Sequence, residues 1–431
     1  MKYYSLTSPS HKVSFQQAVL QGLTPDGGLY MPEFIPELST DFIRQLPSLS
    51  KTDIGFTVAR SFVDERIPNE TLREIVDETI AFDFPLVTLE ENVFVLELFH
   101  GPTLAFKDVG ARFLARILQH IAQTTHQEIT VLVATSGDTG SAVAHGFYNV
   151  EGIRVVILYP AGMVSALQEK QFATLGRNIQ AIKVAGTFDD CQRLVKQAFQ
   201  DEELRNKIFL TSANSINIAR LIPQSFYYFF ALSQLHTLKH VVFSVPSGNF
   251  GNLTAGALAK KMGLPIDAFV AATNANDVVP EYLHTNVFTP RASTQTISNA
   301  MDVGNPSNFP RLLALYDNDW DYITKEIYGY AFTDTETRKA IADVFTKRNY
   351  TLDPHGAVSY LGLKKYLANN PKAKGIFLET AHPSKFPDVV EFAIQQSITL
   401  HPALAELAHK QIQSVLCTSD FSDFKKLLME Y

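Results

Sequence analysis

The sequence predicts an α/β protein: two domains built on parallel sheets covered by helices, joined to an N-terminal region. Two observations predict it. From Val93 onward, apolar runs of strand length alternate with stretches of helical period, the pattern of parallel strands linked by covering helices. These runs end in short loops rich in Gly, Ser, Thr and Asn that open the next helix, which is where such sheets bind ligands.

Size and composition agree. A chain of 431 residues buries a large core and divides into two or three domains. With 46% hydrophobic and 19% charged residues it has the balance of an ordinary globular protein. A formal charge of −7 argues against nucleic acid or an anionic membrane as partner and leaves small anions open. Cys191 and Cys417 form neither a metal motif nor a disulfide framework, and structural burial is their expected role. The N-terminus lacks an apolar signal core and no run approaches the ~20 residues of a membrane span. The expectation is a cytoplasmic protein with a small-molecule partner.

Taken in order, residues 1–92 form the N-terminal region. Its Gly27-Gly28 pair marks a turn, and helical patterns cover Asp53 to Phe62 and Thr71 to Phe82. Residues 93–239 form the smaller domain. Its strands are Val93 to Leu98, Ile129 to Ala134, Ile153 to Tyr159 and Ile179 to Val184; its helices cover Val109 to Ile121, Ser165 to Leu175 and Phe188 to Phe199. Ser165 with Gln168 resembles a capping box. Residues 240–431 form the larger domain, with strands Val241 to Val245, Ile266 to Ala272 and Gly375 to Glu379, helices Leu253 to Met262 and Ala357 to Leu367, and a final set of helices. Between them Asn286 to Pro310 reads as a long loop.

Four strand-end segments carry the chemistry. In His100 to Asp108 a Gly-Pro break precedes Lys107 at the start of a helix, where the peptide dipoles disfavour its charge and favour a nucleophilic amine; Asp108 pulls the other way, and on this stretch alone a solvated surface lysine is the better reading. Ser247 to Asn252 places two glycines three apart before a helix N-terminus, which suits a phosphate or a tight packing loop. Ala134 to Ser141 offers hydroxyls and amides for a carboxylate, or an ordinary cap. Asn214 to Arg220 offers neutral donors and a guanidinium fork suited to phosphate, or a capped helix with a surface arginine. A lysine among several anion cradles points to a phosphorylated carbonyl cofactor, pyridoxal 5'-phosphate.

These segments resemble those of threonine synthases. The His100 to Asp108 stretch, Ser136-Gly137-Asp138-Thr139, Asn214-Ser215-Ile216-Asn217 with Arg220, Ser247 to Asn252, and Thr380-Ala381-His382-Pro383 occur in that family's order, and the likeness extends to Val13-Ser14-Phe15 and Gly28-Leu29. The resemblance implies the tryptophan-synthase-β-like pyridoxal-phosphate fold. It also implies a lyase of threonine biosynthesis that converts O-phospho-L-homoserine and water to L-threonine and phosphate. By position, Lys107 resembles the Schiff-base lysine, Gly248, Asn249, Phe250, Gly251 and Asn252 the cofactor-phosphate loop, and Thr380 the hydroxyl partner of the pyridine nitrogen. Ser136 and Thr139 resemble carboxylate contacts. Asn214, Ser215 and Arg220 resemble the substrate-phosphate site, with Ser165 also near substrate. Asp138 stands where relatives have Asn near the cofactor's phenolic oxygen, so two negative groups would meet there unless one is protonated or turned away. The alternatives are a related phospholyase giving 2-oxobutyrate, ammonia and phosphate, and a non-catalytic binding protein. A monomer or homodimer is expected.

Overall fold

The structure, a computed structural model, describes residues 1–430. It contains three sheets. A small antiparallel sheet in the N-terminal region has the order Lys12–Ser14, Lys2–Ser5, Tyr30–Pro32. Helices Lys51–Arg60 and Asn69–Thr79, close to the positions expected, pack with this region, and the Tyr3 hydroxyl ties it down by donating to the Phe62 carbonyl at 2.8 Å.

The six-stranded sheet runs Ile327–Ala331, Ala268–Thr273, Val241–Pro246, Lys374–Glu379, Val93–Glu97, Leu86–Glu90. All neighbours are parallel except the last pair. The five-stranded sheet is all parallel: Ser414–Thr418, Ile179–Ala185, Ile153–Pro160, Ile129–Ala134, Leu210–Ser212. Every residue of Val241–Pro246, Ala268–Thr273 and Ile129–Ala134 is buried, since helices cover both faces; hence these strands read as unbroken apolar runs.

The linear domain boundaries differ from the sheets in three places; the first is Leu86–Glu90, expected in the N-terminal region, which edges the six-stranded sheet beside Val93–Glu97. Val93–Glu97, expected to open the smaller domain, pairs residue for residue with Gly375–Glu379 in the six-stranded sheet. Ser414–Thr418, in a segment expected to be helical, edges the five-stranded sheet by pairing with Ala181–Ala185. Strands choose neighbours by burial and register, so boundaries drawn along the chain misplace all three. Leu210–Ser212 is only three residues long and gives no period to detect. Helix Phe226–Ser233 is buried nearly all round, so its apolar residues show no helical stripe.

Candidate active site

Each expected site segment lies just beyond the C-terminal end of a parallel strand. Strand Val93–Glu97 leads to the Lys107 turn, Val241–Pro246 to Ser247–Asn252, and Lys374–Glu379 to Thr380. Ile129–Ala134 leads to Ser136–Thr139, Ile153–Pro160 to Ser165, and Leu210–Ser212 to Asn214–Arg220. Direct bonds join segments that leave neighbouring strands of the same sheet. Phe106 N–H donates to the Thr380 carbonyl at 2.9 Å, His382 N–H to the Leu104 carbonyl at 3.0 Å, and the Asn214 amide to the Ala134 carbonyl at 2.9 Å.

Lys107 is the first residue of helix Lys107–Thr125, which has no side-chain cap. The turn before it needs Leu104 at φ 59°. The side chain is half-buried. Enclosure is the largest influence lowering the pKa of its amine, and Lys385 and Arg220 push the same way; the opposing influence is Asp138. It does not come from Asp108, whose carboxylate turns back to accept from the Thr103 N–H at 2.9 Å and hydroxyl at 2.6 Å. Burial raises the Asp108 pKa, partly offset by those bonds. Asp108 therefore closes the turn that presents Lys107.

Asp138 begins helix Asp138–Phe147 and is buried. Gly137 before it has φ 153°, and a Cβ there would strike the Gln168 amide, so glycine is required. The Asp138 carboxylate ion-pairs with Lys385 Nζ at 2.7 Å and accepts from the Gln168 amide at 2.9 Å. Burial pushes its pKa up, but Lys385 and Lys107 outweigh this and hold it well below the usual carboxylate range. Asp138 is thus held ionised by an ammonium. Lys385 itself is buried and also donates to the Thr103 carbonyl at 2.8 Å. The sequence gives no sign of this role, because a lysine in a Pro-Ser-Lys loop reads as solvated.

Arg220 is buried rather than on the surface. It donates to the Ala213 carbonyl, its Nε lacks a partner, and burial lowers its pKa to about 10. Gly110 on the Lys107 helix lies against it, where a Cβ would come within 3.0 Å of Nε. A buried cation without a counterion is a strong seeker of anions. Asn214 and Ser215 are half-buried beside it. Ser136 is exposed and Thr139 half-buried. Ser165 is exposed and caps helix Ala166–Ala173 by accepting from Gln168 N–H. The expected capping box is only half formed: Gln168 Oε1 accepts from the Ser165 hydroxyl at 3.1 Å rather than from its N–H, while the Gln168 NH2 donates to Asp138.

In Ser247–Asn252 the cradle is backbone. Asn249 is exposed and its side chain accepts from the Ser307 hydroxyl at 3.0 Å; the Asn252 amide donates to the Pro246 carbonyl at 2.8 Å. Phe250 adopts φ 60° to turn the chain into helix Gly251–Lys261. A Cβ at Gly248 would lie 2.7 Å from the Ala300 carbonyl oxygen, so this loop has no room for one. Thr380 is buried and follows Glu379, whose carboxyl is pushed well above its ordinary range by burial and by Asp353. A phosphorylated carbonyl cofactor fits these residues: an amine with a lowered pKa and a glycine-bearing loop at a helix N-terminus both follow strands of the six-stranded sheet.

Three family models match: "Threonine synthase N terminus" over residues 2–80, "Pyridoxal-phosphate dependent enzyme" over 81–378, and "Threonine synthase, C-terminal" over 356–427. The threonine synthase of Escherichia coli is 48% identical over 434 residues, covering 100% of both chains, and that of Saccharomyces cerevisiae 36% identical, covering 91% of this chain and 89% of its own. Among solved structures, E. coli threonine synthase matches with a TM-score of 0.94 at 47% identity, covering 100% of both chains. A pyridoxal-phosphate-bound threonine synthase from Brucella melitensis matches at 0.93 and 35% identity, covering 100% of this chain and 99% of its own. Maize serine racemase, at 16% identity and a TM-score of 0.55, shares the fold over 72% of this chain and 92% of its own.

Proposed function

The chain belongs to the threonine synthase family and is a pyridoxal-phosphate-dependent lyase of amino-acid biosynthesis; we propose that it converts O-phospho-L-homoserine and water to L-threonine and phosphate, with Lys107 as its catalytic amine. One observation carries the assignment of roles: the Lys107 amine lies within electrostatic reach of both Arg220, a buried cation with a free Nε and no carboxylate partner, and the Asp138–Lys385 pair.

Lys107 would hold the cofactor, and its Nζ, when free, would move protons between substrate carbons. A lowered pKa keeps that amine available as a base. The bound pyridoxal group supplies an electron sink for charge released at those carbons. Ser247–Asn252 would hold the cofactor's phosphate on backbone at a helix N-terminus, and Thr380 would supply a hydroxyl partner for its ring nitrogen. Asp138, ionised against Lys385, would bear on the cofactor through that pair. Arg220, with Asn214 and Ser215, binds the substrate phosphate and steadies it as it departs; the Ser136–Thr139 loop takes the carboxylate. Ser165 acts through Gln168, which it caps and which touches Asp138.

Among the described residues no helix is long and apolar enough to cross a membrane. A cytoplasmic monomer or homodimer, without a nucleic-acid partner, completes the proposal; sedimentation of the purified protein checks the assembly.

Product analysis with O-phosphohomoserine tests the reaction. Equal release of threonine and phosphate is expected, whereas 2-oxobutyrate and ammonia would assign the protein to the phospholyases. Arg220→Met tests the phosphate site. Removing a buried cation that lacks a carboxylate leaves stability unchanged or slightly raised. It also raises KM for the phosphorylated substrate by about 10²-fold, because a charged contact is lost from an enclosed site. Steady-state kinetics beside urea unfolding separates the two effects, and a parallel loss of stability with unchanged KM would make Arg220 structural.

A further inference from the structure

Helix Gly251–Lys261 begins against a buried amide that no expected motif contains. Asn308 is fully buried, and its Nδ2 has no hydrogen-bond partner. That nitrogen is the nearest atom to the space in front of Gly251, 3.4 Å from where a Cβ would stand. The direction of the amide is set from behind. Arg311 donates from Nη1 to Asn308 Oδ1 at 2.9 Å, and because a guanidinium only donates, the oxygen must face it and the NH2 must face Gly251.

Arg311 is itself fully buried, and burial lowers its pKa to about 9. Among the described residues its bonded partners are all neutral: the Tyr30 carbonyl at 2.9 and 3.1 Å, the Ile216 carbonyl at 2.7 Å, the Ser215 carbonyl at 3.5 Å and Asn308. Its charge is therefore passed forward through the Asn308 amide rather than neutralised. Asn308 is also pinned to the loop, since its N–H donates to the Asn249 carbonyl at 3.2 Å while Ser307 donates to the Asn249 side chain.

We propose that Asn308, oriented by Arg311, donates through Nδ2 to the phosphate ester held at the N-terminus of helix Gly251–Lys261, and that this phosphate is the cofactor's. The inference rests on the cofactor-phosphate reading of Ser247–Asn252. Arg311 acts as a positioning residue: it fixes the amide and holds the carbonyls of Ser215 and Ile216 away from the site.

Asn308→Asp tests it. The substitution keeps size and the oxygen that meets Arg311 but replaces the donor by a second oxygen. Equilibrium dialysis against cofactor-free protein should show pyridoxal 5'-phosphate binding weakened at least about tenfold, the worth of a hydrogen bond to a charged group. Binding of pyridoxal, which lacks the phosphate, should be unchanged. Stabilisation of the cofactor-free protein by inorganic phosphate should also be lost. Equal weakening of both aldehydes, or no weakening of either, would overturn the proposal. An increase confined to KM for O-phosphohomoserine would overturn it in favour of the substrate's phosphate. If the aspartate variant does not fold, Asn308→Ser, which keeps a hydroxyl donor on a shorter arm, should fall between wild type and a tenfold loss; wild-type affinity in it would count against the proposal. Failure of the wild-type protein to bind the cofactor at all would instead defeat the underlying reading.

Discussion

Lys107→Ala lowers turnover by at least about 10³-fold while the protein keeps its fold. The loss is large because one amine carries the cofactor and moves the protons, and no neighbour can replace it. Lys385 is buried in its bond to Asp138, and Arg220 is too strong a base to exchange protons readily. The fold survives because the Lys107 turn is built by other groups. Asp108 binds Thr103, and Phe106 N–H binds the Thr380 carbonyl. Loss of the yellow colour of the loaded protein, with an unchanged circular dichroism spectrum, checks the result; wholesale unfolding would mean the residue is structural. The lowered pKa adds a second expectation. In cofactor-free protein, an amine reagent should modify Lys107 at a lower pH than ordinary lysines, because enclosure favours its neutral form.

Lys385→Met is expected to cost about 3–5 kcal/mol of stability at neutral pH, the usual consequence of leaving a buried charge without its partner. The stranded group is Asp138, which keeps Gln168 and the more distant Lys107 but loses a 2.7 Å ion pair. The sign of the pH dependence follows from its depressed pKa. In the wild type Asp138 contributes stability above the unfolded carboxylate value and loses it as the pH falls through the folded one. In the variant the folded pKa is higher, so the stability difference from wild type narrows on acidification. Urea unfolding at neutral and mildly acidic pH measures this. Asp138→Asn combined with Lys385→Met should recover part of the loss, and strict additivity would show the pair to be uncoupled.

The strand-end segments were legible because glycine, hydroxyl and amide residues interrupt long apolar runs, and parallel sheets bind ligands at those interruptions. Lys107, the Ser247–Asn252 loop and Arg220 all stood out on that ground. What supports them did not. Asn308 and Arg311 belong to a long polar loop and the short helix after it, with no strand before them, and Arg311 matters only because it meets Tyr30 and Ile216 from distant parts of the chain. Lys385 gains its meaning from burial beside Asp138, which no local pattern records. The sheet memberships of Val93–Glu97 and Ser414–Thr418 were hidden for the same reason.

The pairing of Ser414–Thr418 with Ala181–Ala185 joins residues separated by more than half the chain's length. During synthesis the five-stranded sheet therefore leaves the ribosome with one flank unmatched and stays so until nearly all of the polypeptide has emerged. Such high contact order makes completion of this sheet a late and slow event. Its waiting edge, Ile179–Ala185, is the surface on which a chaperone or a misplaced strand would compete with the native partner.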